Sequence, residues 1–339
     1  MMMKKNKTIK STWMSSDLLK IFLVTAITLV AFAANSVLCR WALADQTIDP
    51  LSFSLIRLLS GSFTLIVILI SVQTYHYIKN DSGQKSQSKP FEKLLSTSHV
   101  KAIPVVSLMV YMYGFSFAYI ELGAGFGALI LFVTVQFTMI AAHVLSGHSL
   151  SKTDTIGCVL SIIGLVYLLL PNSSNVPFDV TSIVLMAAAG MAWGFYTLAG
   201  KLSDQPLQST TWNFIAASLF SVLLGAIVSL FTMVLDWAPS SLLTLTSSLT
   251  LTSKGILYAV LSGSVASGVG YTLWYYVVKK LPTVVASVSQ LSVPVIATLG
   301  GAVFLSEPVT LHFIVSSTII LLGILIVLLS PKKSPNGKT

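Results

Sequence analysis

Apolar residues along the chain fall into stretches of about twenty, each ended by a short polar or proline-marked step. That is the length an α-helix needs to cross the roughly 30 Å hydrocarbon layer of a bilayer. Ten stretches can be read: 19–44, 51–73, 100–120, 123–146, 154–171, 179–200, 210–235, 254–278, 283–305 and 308–330. Pro50, Pro282 and Pro308 fall in the connections, where a missing N–H does least harm. Gly123, Gly125 and Gly127 open the fourth stretch and allow close helix approach. They follow no strand, so they do not make a dinucleotide-binding loop. The pattern predicts an all-α membrane protein with ten transmembrane helices. Two connections are long. Residues 76–99, with "NDSGQKSQSKP" at their centre, read as a flexible linker, and residues 236–253 as an interfacial segment on the opposite side.

Composition agrees with that solvent. The chain is 54% hydrophobic and 9% charged, with a mean hydropathy of +0.85; soluble domains carry about a quarter charged residues. The net charge of +9 changes the picture only through its placement. With the ten-stretch frame and an inner N-terminus, seventeen of the twenty Lys and Arg residues fall on one side, leaving Lys254, Arg40 and Arg57. This segregation is the positive-inside rule, and it puts both termini in the cytoplasm of a multi-pass protein of a bacterial inner membrane. Lysines flanking helices are not an aromatic-laced basic patch, so no nucleic acid is expected as a partner. The lysines before Ile21, the run to Val30 and the Ala31-x-Ala33 step resemble a secretory signal. The apolar run, however, continues to Ala44, so it reads as a retained first span. Cys39 and Cys158 lie in apolar stretches as packing residues, the five histidines form no metal site, and no cofactor is expected.

The two halves echo each other. A slide of 159 positions brings Leu122 onto Leu281, Val144 onto Val303, Gly164 onto Gly323, and "GLVYLLLP" onto "GILIVLLSP". At a slightly different offset "FAANSVLCRWAL" overlies "GMAWGFYTLAGK". This divides the chain into a tail at 1–18, repeats at 19–171 and 179–330, and a tail at 331–339. Each repeat has five helices, an odd number, so the second must enter the membrane upside down. Inverted repeats permit two related conformations, each open to one side.

Few residues in the spans carry chemistry. Arg40 lies near the outer end of the first span, Arg57 about two turns into the second. In one reading both reach outward to Asp45, Asp49 or Glu307. In the other, one faces a cavity and meets an anionic group, or gates it with those acids. Asn35, Gln136 and Gln290 are amides near mid-membrane that need partners from other helices or from water. Among the aromatic residues Tyr111, Tyr113, Trp193, Tyr196, Tyr271, Trp274 and Tyr275, the deeper Tyr113, Trp193 and Tyr271 suit an apolar wall with polar tips. Under the repeat Arg57 falls near Asn213, so its charge is not duplicated. Pro294 is expected to kink the ninth span.

"NSVLCRWAL…IDPLSFSLIRLLSG", "FAYIELGAGFGALILF", "GYTLWYYVVKKLP", "QLSVPVIATLGG" and "FLSEPVTL" resemble the EamA-type members of the drug/metabolite transporter superfamily from about residue 19 to 330. The resemblance implies the two-repeat, ten-helix fold and export of small metabolites such as amino acids. It also implies a glutamate ending the fourth span; this chain has His148 there, and keeps the mate at Glu307. The substrate-binding candidates are therefore Asn35, Tyr113, Gln136, Trp193, Tyr196, Tyr271 and Gln290, with Arg40, Arg57 and Glu307 as gating or anion contacts. Other solutes, from lipophilic cations to organic anions and nucleotide sugars, and a non-transporting membrane role, are the alternatives. An enzyme would need clustered nucleophile, base or metal ligands at one depth, and no such set is visible. The expected partners are a small-molecule substrate and the lipid bilayer.

Overall fold

The computed structural model describes residues 2–80, 101–169, 179–235 and 250–329. Most of the two long connections, at 81–100 and 236–249, and the segment after 329 lie outside the described residues. Everything described is helix or short connection, apart from one isolated bridge between Ile48 and Leu251. The helices are α1 Met2–Ala44, α2 Pro50–Asn80, α3 Ala102–Ala118, α4 Ala124–Leu145, α5 Lys152–Leu169, α6 Val180–Leu202 and α7 Pro206–Leu235. They continue with α8 Ser253–Val278, α9 Thr283–Leu305 and α10 Leu311–Leu328. Seven are long and apolar enough to cross a membrane, and Ala102–Ala118 and Leu311–Val327 are shorter apolar helices.

Local chemistry sets several boundaries. Asp179 caps α6 by accepting the N–H groups of Thr181 and Ser182, and Thr252 and Thr310 cap α8 and α10 in the same way. These contacts hold the Asp179 carboxyl below its usual range. Its support for α6 is therefore present once it ionises and fades as pH falls through that depressed value. Two helices depart from regular winding. In α9 a 3-10 turn at Gln290–Ser292 separates two α segments. Pro294, which has no N–H to give, sits in the first turn of the second segment. In α8 the stretch Ser262–Val269 is a π-helix.

Packing follows a two-fold exchange of helix n for helix n+5. α5 packs on α10, α4 on α9 and α2 on α7, each pair mapping onto itself. The remaining major contacts come as exchanged partners: α3 on α6 with α8 on α1, α4 on α6 with α9 on α1, and α2 on α8 with α7 on α3. The self-mapping pairs α5/α10 and α4/α9 run antiparallel. Gly157 lies against Gly323 and Val327, while Gly164 lies against Ile320; Gly125 meets Thr298, while Met139 meets Gln290. Ser62 and Ser218, equivalent when Pro50 is laid on Pro206, touch at 3.1 Å. Glycine makes these approaches possible. A Cβ on Gly157 would stand 2.6 Å from the Gly323 carbonyl oxygen, and one on Gly323 would stand 2.5 Å from that of Gly157.

The connections gather at two opposite ends. At one, which we call the arginine end, Thr252 donates its N–H to Thr47 (3.0 Å) and Asp49 to Thr250 (3.1 Å). Arg40 and the loops at 119–123 and 306–310 join them there. At the other, the lysine end, Lys279 donates to the Ser203 carbonyl at 2.8 Å, and Lys101 lines the same cavity as Gly200 and Asp204.

Overpacking a tight helix contact costs about 1–3 kcal/mol. Gly157→Leu is therefore expected to lower the melting temperature in detergent. Gly225→Leu, at a site with open space around it, should leave it unchanged. Equal tolerance of both would contradict the packing described.

Candidate functional site

Arg57 of α2 is fully buried. A guanidinium has five N–H donors and stays charged. Nε donates to the Ser267 hydroxyl at 3.1 Å. Nη2 donates to the Tyr111 hydroxyl at 2.9 Å and the Tyr271 hydroxyl at 3.2 Å. The group also lies over the rings of Tyr111 and Phe115, 5.2 and 5.0 Å from their centroids. Nη1 has no partner. The acids considered as counter-ions are engaged elsewhere. Asp45 pairs with Lys254 (3.9 Å), Asp49 accepts the Ser52 N–H at the start of α2 (2.9 Å), and Glu307 pairs with Arg40 (3.3 Å). Arg57 thus does not reach outward and meets no carboxylate among the described residues; its partners there are hydroxyls and rings.

The π-winding of α8 shapes this environment. Bonding from i to i+5 brings residues five apart onto one face. Ser267 holds Arg57 while Ser262 donates to the Asn35 side-chain oxygen, and the Asn35 amide donates to the Tyr111 hydroxyl at 3.2 Å. Gly263 and Gly268, also five apart, face α2. A Cβ on Gly263 would collide with Ser60 and the Arg57 carbonyl, and one on Gly268 would stand 2.9 Å from Thr64.

Beside the arginine lies a wall of rings. Phe32 of α1 touches Trp193, Tyr271 and Trp274, with centroids 5.5, 5.9 and 5.6 Å away. Trp193 stacks obliquely on Tyr111 (5.1 Å) and Tyr271 (4.7 Å). Its indole N–H donates to Gln290 Oε1 at 2.9 Å, and the Gln290 amide turns to the Ala286 carbonyl at 3.3 Å. The structure therefore brings together Asn35, Arg57, Trp193, Tyr271 and Gln290 in one cluster, with Tyr196 at its edge. It places the others apart: Gln136 contacts Cys158 on α5 (3.9 Å), and Tyr113 lies against Ser221 on α7. Phe32, Ser262 and Ser267 belong to the cluster but were not among the sequence candidates. The available signal was the "SGSVASG" run, polar and small inside an apolar stretch.

A cavity of about 630 Å³ opens at the lysine end between α3, α6, α7 and α8. Its rim includes Lys101, Ser203, Asp204 and Ser209, and its floor Tyr196, Asn213 and Tyr275. Tyr196 and Asn213 are both buried and adjoin each other on that floor. The Tyr196 ring stands 6.4 Å from that of Tyr271, centroid to centroid. One aromatic layer thus separates the cavity floor from Arg57.

The two ends are tied by analogous but unequal latches, whose cations, Arg40 and Lys201, do not align under the repeat. At the arginine end Arg40 donates to the carbonyls of Tyr119 (3.0 Å) and Ile120 (2.6 Å) as well as to Glu307. Glu307 in turn accepts the Ala124 N–H at the start of α4, at 2.9 Å, where the helix dipole favours an anion. The slide of 159 maps Ala124 to Thr283 and His148 to Glu307. At the lysine end Lys201 donates to the Leu281 carbonyl (2.7 Å) and the Thr283 hydroxyl (3.0 Å), but His148 stands in the carboxylate's place. Beyond Leu145 the chain turns at Gly147, whose φ is +84°. His148 thereby stacks on His143 at 4.7 Å, although five residues is poor spacing for one helix face.

The chain matches the EamA-like transporter family over residues 19–170 and again over 180–329. An uncharacterized protein of Pseudomonas aeruginosa is 35% identical over 310 residues, covering 91% of this chain and 94% of that one. A protein of Salmonella typhimurium named a probable amino-acid metabolite efflux pump is 24% identical over 235 residues, 66% of this chain and 77% of that one. A crystal structure 17% identical to this chain superposes with a TM-score of 0.59, covering 90% of this chain and 98% of that one, which shows a shared fold. With two copies of the family's unit and several helices long and apolar enough to cross a membrane, the chain belongs to the EamA-like transporter family of the drug/metabolite transporter superfamily.

Proposed function

We propose that this protein is a secondary transporter that exports small metabolites, amino acids among them, by alternating access. Its frame is ten transmembrane helices in two inverted repeats, with both termini cytoplasmic, in the inner membrane of a bacterium. The observation that carries the reading is the cavity open at the lysine-rich end and ending one ring-layer from a buried arginine, inside a packing scheme unchanged by exchange of the halves. Swapping the conformations of two such halves closes that cavity and opens its mate at the arginine end. Asn35, Trp193, Tyr196, Tyr271 and Gln290 line the path, Arg57 sits at its centre, and Arg40 with Glu307 forms the outer gate. Tyr113 and Gln136 fit support of α7 and α5 better than solute contact. The name of the Salmonella relative supports amino acids as cargo.

The direct test is counterflow in liposomes of bacterial lipid. Purified protein should exchange radiolabelled amino acids across the bilayer at rates above protein-free vesicles; no exchange of any solute in a broad metabolite panel would end the reading.

The gate makes two further expectations. Hydrogen bonds to charged groups contribute about 1.5–3 kcal/mol. Arg40→Ala and Glu307→Gln should each lower thermal stability, and the double variant should lose no more than the worse single one. Additive losses would mean that the two residues do not act together. His148→Glu should supply the missing carboxylate near Lys201 and the start of α9, favouring closure of the lysine end. A cysteine at Ser209 should then react more slowly with a membrane-impermeant maleimide; unchanged labelling would show that the latch does not set the resting state.

A further inference from the structure

We infer that Arg57 is a receptor for one carboxylate group of a small organic solute, on the transport reading just given. The argument is a count of donors and charges. Burying a guanidinium in an apolar span is costly unless it is paired and hydrogen-bonded. Here no acid among the described residues touches it, and the surrounding acceptors are Ser267, Tyr111 and Tyr271, three neutral hydroxyls. Nη1 keeps its N–H groups unused. A second donor in the same ring cluster, the Trp274 indole N–H, is also buried and unpartnered. The cluster has donors to spare and a positive charge unmatched. A carboxylate supplies what it lacks, with two acceptor oxygens and one negative charge. A second anionic group would find no second buried cation among the described residues, so a monocarboxylate fits better than a dicarboxylate. The rings of Phe32, Trp193 and Tyr271 form the apolar surface against which the rest of the solute lies.

The repeat says when the site is open. Asn213 is the mate of Arg57 and lines the cavity floor at the lysine end. Once the halves exchange shapes, Arg57 takes the corresponding place in a cavity facing the arginine end, and Asn213 becomes enclosed. The solute enters or leaves past a neutral amide on one side and past a cation on the other. Carboxylates applied at the arginine end therefore meet the stronger site.

The test compares matched pairs on the purified full-length protein: protein amino acids and their 2-oxo analogues, each beside its carboxamide. At least one carboxylate is expected to raise the melting temperature in detergent and to exchange in counterflow, while its amide does neither. Arg57→Gln is expected to weaken that carboxylate at least about thirtyfold, as for loss of one partner of a buried charge pair. Arg57→Lys, which keeps the charge with fewer donors, should lie between. If Arg57→Gln does not fold, the carboxylate–amide comparison on the unaltered protein decides alone. Equal stabilisation and equal exchange by acids and amides, or affinity unchanged in Arg57→Gln, would overturn the inference while leaving transport standing. Exchange of amines or neutral solutes with no carboxylate effect would do the same. Absence of all exchange, with carboxylates still preferred in melting, would uphold the site and remove the transport reading.

Discussion

Inside a bilayer a polar group has no water to fall back on, and the centre of this protein is arranged around one group for which that is most severe. Arg57 carries a permanent charge with no acid among the described residues beside it. Holding it takes two tyrosines from different helices, a serine from a third position and the face of a phenylalanine. The serine reaches it because α8 winds as a π-helix, and that winding brings α8 close enough only because Gly263 and Gly268 have no side chains. The ring cluster, the Asn35 network and the Trp193–Gln290 bond all pack outward from this point. The helices that enclose the site are therefore coupled through one side chain.

The second constraint is symmetry. Equivalent helices of the two halves meet antiparallel at glycine-rich contacts, so each half presents the other with its own surface reversed. On the transport reading proposed above, such an arrangement favours two conformations of similar energy, because the main helix contacts in one have counterparts in the other. Two of the many places where the halves differ bear on that balance. A carboxylate secures the arginine end and a histidine stands at its counterpart, which accords with a cavity at the lysine end. Arg57 against Asn213 is a second, and on the reading above it concerns the solute rather than the gate.

Much of the frame was legible in the sequence, because length and apolar character are what a bilayer demands of a helix. The stretches at 254–278 and 283–305 agree with α8 and α9 to within a residue or so, and the family match shows the repeat. The site was legible in part. Asn35, Trp193, Tyr271 and Gln290 stood out as polar or aromatic residues at depth, and they meet. Gln136 and Tyr113 shared those properties, yet helix rotation turns them toward α5 and α7. Periodicity gives depth well and facing poorly when a helix is apolar on every side. Ser262 and Ser267 were hidden for another reason: serines in apolar helices usually bond back to their own backbone, and only the π-turn points these two across. The partners of Arg57 were the least legible, since nearby acids in the sequence turned out to serve a cap, a surface pair and a gate.

The central claim, that the two ends open in alternation, is tested most directly by distances between spin labels in the bilayer. One pair at Ile103 and Leu202 reports the lysine end, and another at Ile120 and Leu251 the arginine end, all on exposed positions. The account predicts two populations at each end, shifting in opposite senses when an exchanged solute is added. A single distance at each end, or both ends widening together, would contradict it.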